Sequence, residues 1–135
     1  MPSPPVVVFV CLHGSAKSVI ASEHFRRLSN QRGLDVSVAC AGTEPDAEIP
    51  ARVVQGLLAD GFDVRGQQPR AIARADLERA SHVIAFGCDL AAVAPPGLTI
   101  ERWDEVPAVS EDYGRARDAI TTRVRALVDQ MLVAR

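Results

Sequence analysis

Val6-Val7-Val8-Phe9-Val10-Cys11-Leu12-His13-Gly14-Ser15-Ala16-Lys17-Ser18 is the stretch on which the fold turns. Val6 to Val10 is a continuous β-branched and aromatic run, the pattern of a strand buried on both faces of a parallel sheet. Small and polar residues take over from His13 to Ser18, and Val19, Ile20, Ala21, Phe25 and Leu28 then recur at helical spacing until Gly33. The stretch therefore predicts strand, tight loop and helix. Cys11 stands at the carboxyl end of the strand, where open parallel sheets bind their ligands. The small residues after it let successive backbone N–H groups turn inward, and the loop feeds a helix N-terminus, so Leu12 to Ser18 form a candidate anion cradle. The same field favours a thiolate at Cys11.

Outward from this stretch, Asp35 to Cys40 alternates as a second strand and leads into the loop Ala41-Gly42-Thr43-Glu44-Pro45. A helix is predicted from about Pro50 to Asp60, with proline at its first turn and Gly61 just past its end. Leu77 to Ala80 reads as a short helical turn before a third buried strand, Ser81 to Phe86. Thr99 to Trp103 reads as a fourth strand. Asp112 to Val133 is a long amphipathic helix with Ile120, Val124, Leu127, Val128 and Met131 on one side. Strands alternating with helices imply right-handed crossovers and an α/β fold of three layers, a four-stranded parallel sheet flanked by helices. No internal repeat, low-complexity tract or linker interrupts residues 1–135, which read as one domain.

The bulk numbers exclude several classes. Apolar residues make up 47% and charged residues 24%, with a net charge of −2. The arginines are scattered (Arg26, Arg52, Arg70, Arg102, Arg117), so nucleic acid is not an expected partner. Val6 to Val10 is too short for a span or a signal h-region and follows prolines, so neither a membrane nor a location outside the cytoplasm is expected. Three cysteines, Cys11, Cys40 and Cys88, suit reduced thiols better than a disulfide framework, with Cys40 read as the buried end of a strand. His24 and His82 have no second ligand nearby in sequence, and neither a metal nor another cofactor is expected.

Cys11 to Ser18 resembles the Cys-x5-Arg-Ser loop of the low-molecular-weight protein tyrosine phosphatases. The segments Ala41-Gly42-Thr43-Glu44-Pro45, Gly61-Phe62-Asp63-Val64, Gln68-Pro69-Arg70, and Trp103-Asp104 with Val106-Pro107 follow one another as in that family, especially in its arsenate reductase branch. The resemblance covers nearly the whole chain and implies a phosphotyrosine phosphatase I-like fold. It further implies Cys11 as the nucleophile, forming a phospho-cysteine or a thiol-arsenate adduct, with Ser18 donating a hydrogen bond to its thiolate. Gly14 would take a left-handed conformation, and the amides of Leu12, His13, Gly14, Ser15, Ala16, Lys17 and Ser18 would hold the non-reacting oxygens of a phosphate, arsenate or sulfate. His13 faces either the reacting group or solvent, and Tyr113 either the site entrance or the core.

Two departures stand out. Lys17 replaces the family arginine and supplies charge without a planar fork. The family's general acid, an aspartate followed by proline, has no counterpart, because Ala108-Val109 occupies its place. Asp104, Glu111 and Asp112 are the substitutes nearby, and Asp112 is preferred because it precedes a helix on the same loop. Cys88 lies where arsenate reductases carry a redox-active cysteine, but no second resolving cysteine follows in Asp89 to Ala94. Three functions are thus expected, in order. The first is a phosphatase-like hydrolase of phosphate monoesters, acting on protein phosphotyrosine or a small aryl phosphate, with a phosphoprotein as the partner it implies. The second is an arsenate reductase resolved by an external small thiol. The third is an oxyanion-binding module with weak turnover.

Overall fold

Four consecutive residues, Val7 to Val10, are at most 1% exposed, because the strand that carries them has a neighbour on each edge and a packed layer on each face. This strand, β1 (Val6–Cys11), belongs to a computed structural model that describes residues 4–134. It pairs in parallel with β2 (Ser37–Gly42) on one side and β3 (His82–Phe86) on the other, and β3 pairs in parallel with β4 (Ile100–Arg102). The sheet order is β2-β1-β3-β4. The α/β fold with a four-stranded parallel sheet flanked by helices is as the sequence implies. β2 begins later than predicted, because the ladder is joined only where the Ser37 amide donates to the Pro5 carbonyl at 2.9 Å.

The helices are α1 (Lys17–Gln31), α2 (Ala51–Ala59), α3 (Arg74–Arg79) and α4 (Tyr113–Ala134). Pro50 is the residue before α2, with φ −57° and ψ 145°, since a fixed φ suits a helix entrance but proline cannot donate within the ladder. α3 starts ahead of the predicted turn at Leu77. The cause is a local cap: the Asp76 carboxylate accepts from the Ala73 amide at 2.9 Å and from Arg70 Nη1 at 3.0 Å.

Each sheet face has its own core. α1 and α4 cover one face, where Phe25 meets the edge of Phe9 with centroids 5.7 Å apart and Trp103 packs on Phe86 at 5.6 Å. The amphipathic seam of α4 reads as expected, with Ile120, Val124, Leu127, Val128 and Met131 all buried. The opposite face is covered by Ile72, Leu77, Cys88 and Leu90 over Val8, Val10, Val83 and Ala85. Among the described residues no helix is long and apolar enough to cross a membrane.

The chain leaves β1 toward one edge of the sheet and returns as β3 on its other side. A crevice must open above the carboxyl end of β1, where the connections diverge. Cys11 is the last residue of that strand.

Candidate active site

Cys11 is flanked by Gly42 of β2 and Phe86 of β3 in the sheet and is 6% exposed. Its Sγ lies 3.0 Å from the Oγ of Ser18, a fully buried residue of the first turn of α1. Strand and helix therefore fix the two atoms from opposite ends of the loop. Between them Gly14 turns the chain with φ +60°, a conformation that L side chains resist. Close approach adds a second demand. A Cβ on Gly14 would stand 2.6 Å from the Gly42 nitrogen, and one on Gly42 would stand 2.5 Å from the Gly14 nitrogen.

The residues after β2 run alongside this loop as a backbone-bonded strap. Thr43 N donates to Cys11 O at 3.2 Å, Glu44 N to Leu12 O at 2.7 Å, and Asp46 N to His13 O at 3.0 Å. The carbonyls of Cys11, Leu12 and His13 are thus occupied while the loop's amides are not: among the described residues none from Leu12 to Ser18 donates to a backbone carbonyl. Ala16, the N-cap of α1, contributes no side-chain bond, and the first turn holds no acidic residue. The positive end of the helix dipole therefore meets no acidic side chain from its own first turn.

A cavity of about 530 Å³ opens above Cys11. The loop contributes Cys11, Leu12, His13, Ser15, Ala16 and Lys17; the remaining wall comes from Asp46, Pro50, Arg52, Val53, Phe86, Ala108, Val109 and Ser110. Gly14 and Ser18 lie behind this surface, holding its shape. Lys17 donates from Nζ to the Val106 carbonyl at 3.1 Å, so its ammonium ties α1 to the segment that follows β4. His13 is half exposed, and its Nδ1 lies 3.2 Å from Glu44 O and 3.3 Å from Asp46 Oδ1.

Asp112, the preferred substitute for the acid, is engaged at the start of α4 in this structure. Its Oδ1 accepts from the Arg115 amide at 3.1 Å as the cap of α4, outside the cavity wall. Asp104 is spent as well: Arg102 and the Gly87 amide both donate to it and hold its carboxyl below the ordinary carboxylate range. Neither it nor Glu111 lines the cavity. Cys88 is 4% exposed, packs in the core of the opposite sheet face and sits 3.4 Å from Val10 O, and burial pushes its thiol up. It is therefore not placed as an accessible redox partner. Burial likewise raises the Cys40 thiol. Tyr113 is packing: its ring lies on Gly56, and its hydroxyl donates to Asp60 Oδ2 at 3.2 Å.

Asp46 and Arg52 are the cavity residues that sequence reasoning passed over. Asp46 also accepts from Ser15 Oγ at 2.8 Å, across the same 31-residue separation that relates β1 to β2. Extending the strand register past Gly42 would have pointed to it. Arg52 carries no such signal; it stands in the first turn of α2 and donates to Ser110 O. Among the described residues no group of His, Cys, Asp or Glu side chains is arranged to hold a metal ion.

Residues 6–96 match the profile of the family described as low molecular weight phosphotyrosine protein phosphatase. The chain belongs to this family. Its solved relatives include a thioredoxin-dependent arsenate reductase of Corynebacterium glutamicum, 26% identical with a TM-score of 0.79, covering 98% of this chain. This chain spans 64% of that protein's length. YfkJ of Bacillus subtilis is 21% identical with a TM-score of 0.86, covering 99% of this chain and 98% of its own. Wzb of Vibrio vulnificus, solved with benzylphosphonate, is 16% identical with a TM-score of 0.79, covering 93% of this chain and 98% of its own. A protein of the same fold thus holds a phosphate-like ligand. No curated protein sequence matches the chain.

Proposed function

We propose that the protein is a phosphatase-like hydrolase of phosphate monoesters that works through a phospho-cysteine on Cys11. One observation carries the reading: Cys11 Sγ sits 3.0 Å from Ser18 Oγ at the floor of a cavity facing the uncapped start of α1. A nucleophile, a donor that steadies its thiolate, and a positive helix end then converge where a phosphoryl group would enter.

The steps follow from these positions. The non-reacting oxygens of the ester take hydrogen bonds from the amides of Leu12 to Ser18, while Lys17 Nζ adds a positive charge from the side. Cys11 thiolate attacks phosphorus, and Ser18 Oγ donates to the sulfur so that it also departs readily from the intermediate. Leu12, Val53, Phe86 and Val109 provide apolar wall for the organic part of the ester. Lysine grips one oxygen at a time where arginine would grip two, so turnover is expected to be slow.

The test is hydrolysis of p-nitrophenyl phosphate by the parent and by Cys11→Ser. The expected outcome is slow release of p-nitrophenol by the parent, with loss of all but background in the variant. Equal activity of the two proteins would remove Cys11 from the role.

Arsenate reduction is the second reading, favoured by the 26% identity to a thioredoxin-dependent arsenate reductase over 98% of this chain. Cys11 would carry the thiol-arsenate adduct, and an external small thiol would resolve it, because burial keeps Cys88 from exchange. Arsenate-dependent consumption of added thiol, lost in Cys11→Ser, is the outcome that would favour it.

A further inference from the structure

With Ala108 and Val109 in the wall where an acid is expected, an alkoxide or poor phenolate leaving Cys11-bound phosphorus has no donor from that side. Another part of the cavity wall, His13, supplies one. His13 Nδ1 lies between two acceptors, Glu44 O at 3.2 Å and Asp46 Oδ1 at 3.3 Å. A carbonyl can only accept, so the hydrogen on the neutral ring belongs on Nδ1, and Nε2 is the nitrogen left to exchange protons. Both acceptors are themselves fixed. Glu44 is bonded through its amide to Leu12 O at 2.7 Å, and Asp46 through its amide to His13 O at 3.0 Å. The Asp46 carboxylate further accepts from Ser15 Oγ at 2.8 Å, and Ser15 is 2% exposed. Among the described residues lining the cavity, Asp46 is the only carboxylate. The hydrogen bond to the Glu44 carbonyl sets the tautomer, and the Asp46 carboxylate stands within ion-pair distance of the same ring, so a carboxylate, a histidine and a cysteine nucleophile share one site, as they do in acyl-transfer triads.

We propose that His13, oriented by Asp46 and Ser15, is the proton donor and acceptor that replaces the missing aspartate; this rests on the hydrolase reading of Cys11. In the first step the Cys11 thiolate forms the S–P bond while the P–O bond to the leaving group breaks. The leaving oxygen keeps that electron pair and takes the proton from Nε2 of the His13 imidazolium. In the second step a water oxygen bonds to phosphorus, its proton passes to Nε2, and the S–P bond breaks with its electrons returning to sulfur. The net change is ester plus water to alcohol plus phosphate, with thiolate and imidazolium restored. Asp46 is a positioning residue here, and the catalytic residue is His13.

The test compares phenyl phosphate, whose leaving oxygen needs a proton, with 2,4-dinitrophenyl phosphate, whose phenolate leaves without one. The proteins are the parent, His13→Gln, His13→Ala and Asp46→Asn, each first titrated with vanadate to show that the anion cradle is intact. Loss of a general acid is expected to lower phenyl phosphate turnover by about 10²-fold or more in His13→Gln. The fall on the dinitrophenyl ester is expected to be much smaller, Asp46→Asn should fall in the same unequal pattern, and added imidazole should partly restore His13→Ala on phenyl phosphate. An equal fall on both esters, or no fall, in a His13 variant that still binds vanadate overturns the assignment while leaving Cys11 in place. A parent that cleaves neither ester overturns the hydrolase reading and this one with it.

Discussion

Two glycines face each other at 2.6 Å or less from any added Cβ, and this contact sets the loop's depth beneath the cavity. Gly42→Ala is expected to cost about 3 kcal/mol by forcing backbones apart, whereas Gly66→Ala, with φ +89° but open space around it, should cost about 1 kcal/mol of strain alone. Urea unfolding of the two variants checks the contrast, and equal costs would mean that the backbones beside Gly42 move apart with little penalty. Lys17 carries a second expectation. Replacing it with arginine adds a fork whose second arm can hold a phosphoryl oxygen in the transition state, so turnover of p-nitrophenyl phosphate should rise several-fold. Steady-state kinetics with a fall in kcat would show that the Val106 carbonyl, already bonded to Lys17, commits that position to structure. Cys11 was legible in sequence because one short stretch holds the strand end, the turn and the helix start, whereas the roles of Ser18 and Gly14 came only with the family resemblance. Asp46 was not legible, since its partner Ser15 is remote in sequence and only the register of two strands brings them together.

Among the elements, the strongly periodic ones were readable and the locally capped ones were not. The seam of α4 follows from spacing alone, and its core role sets a prediction. Leu127 is 3% exposed, so Leu127→Ala should lose about 2 to 5 kcal/mol, against little change for Val133→Ala at 87% exposure. Thermal unfolding measures both, and a mild Leu127→Ala would mean that α4 packs more loosely against α1 than its burial indicates. α3 escaped because its start depends on Asp76 bonding Ala73 and Arg70, a side-chain event invisible to hydrophobic period. The late start of β2 has the same origin in a non-local pairing, Ser37 with Pro5.

At the scale of the whole molecule, a polar knot ties α1, the end of α2 and α4. Arg117 Nη1 and the Tyr113 hydroxyl, both of α4, reach the Asp60 carboxylate at 3.2 Å each, and His24 of α1 packs against Phe62 with its Nε2 3.8 Å from Asp60. That nitrogen has no hydrogen-bond partner among the described residues. Burial lowers the His24 pKa, outweighing the Asp60 carboxylate, while Arg27 and Arg117 lower it further and Glu23 opposes them. The unfolded chain then binds the proton more readily than the folded one, so stability falls as pH drops below about 6.5 toward the lowered folded value. Above that pH the contribution is flat. Urea midpoints measured from pH 5 to pH 8 should show this fall in the parent and lose it in His24→Gln; a parallel fall in both would assign the effect to other groups.

The separation of 31 residues that pairs Val6 with Ser37 and Cys11 with Gly42 persists beyond the strands, joining Leu12 to Thr43 and Ser15 to Asp46. The two arms of the cavity are therefore spaced by counting, with α1 as the measure between them. A gene that gains one codon within α1 must either turn the buried face of Phe25 away from the sheet or slide one arm past the other, which reverses the facing of every paired residue. The same codon gained beside Gly33, which ends the helix, can be taken up as slack. Inherited changes of length are thus sorted by where they fall along this interval, even where single-residue replacements at the same sites would pass unnoticed.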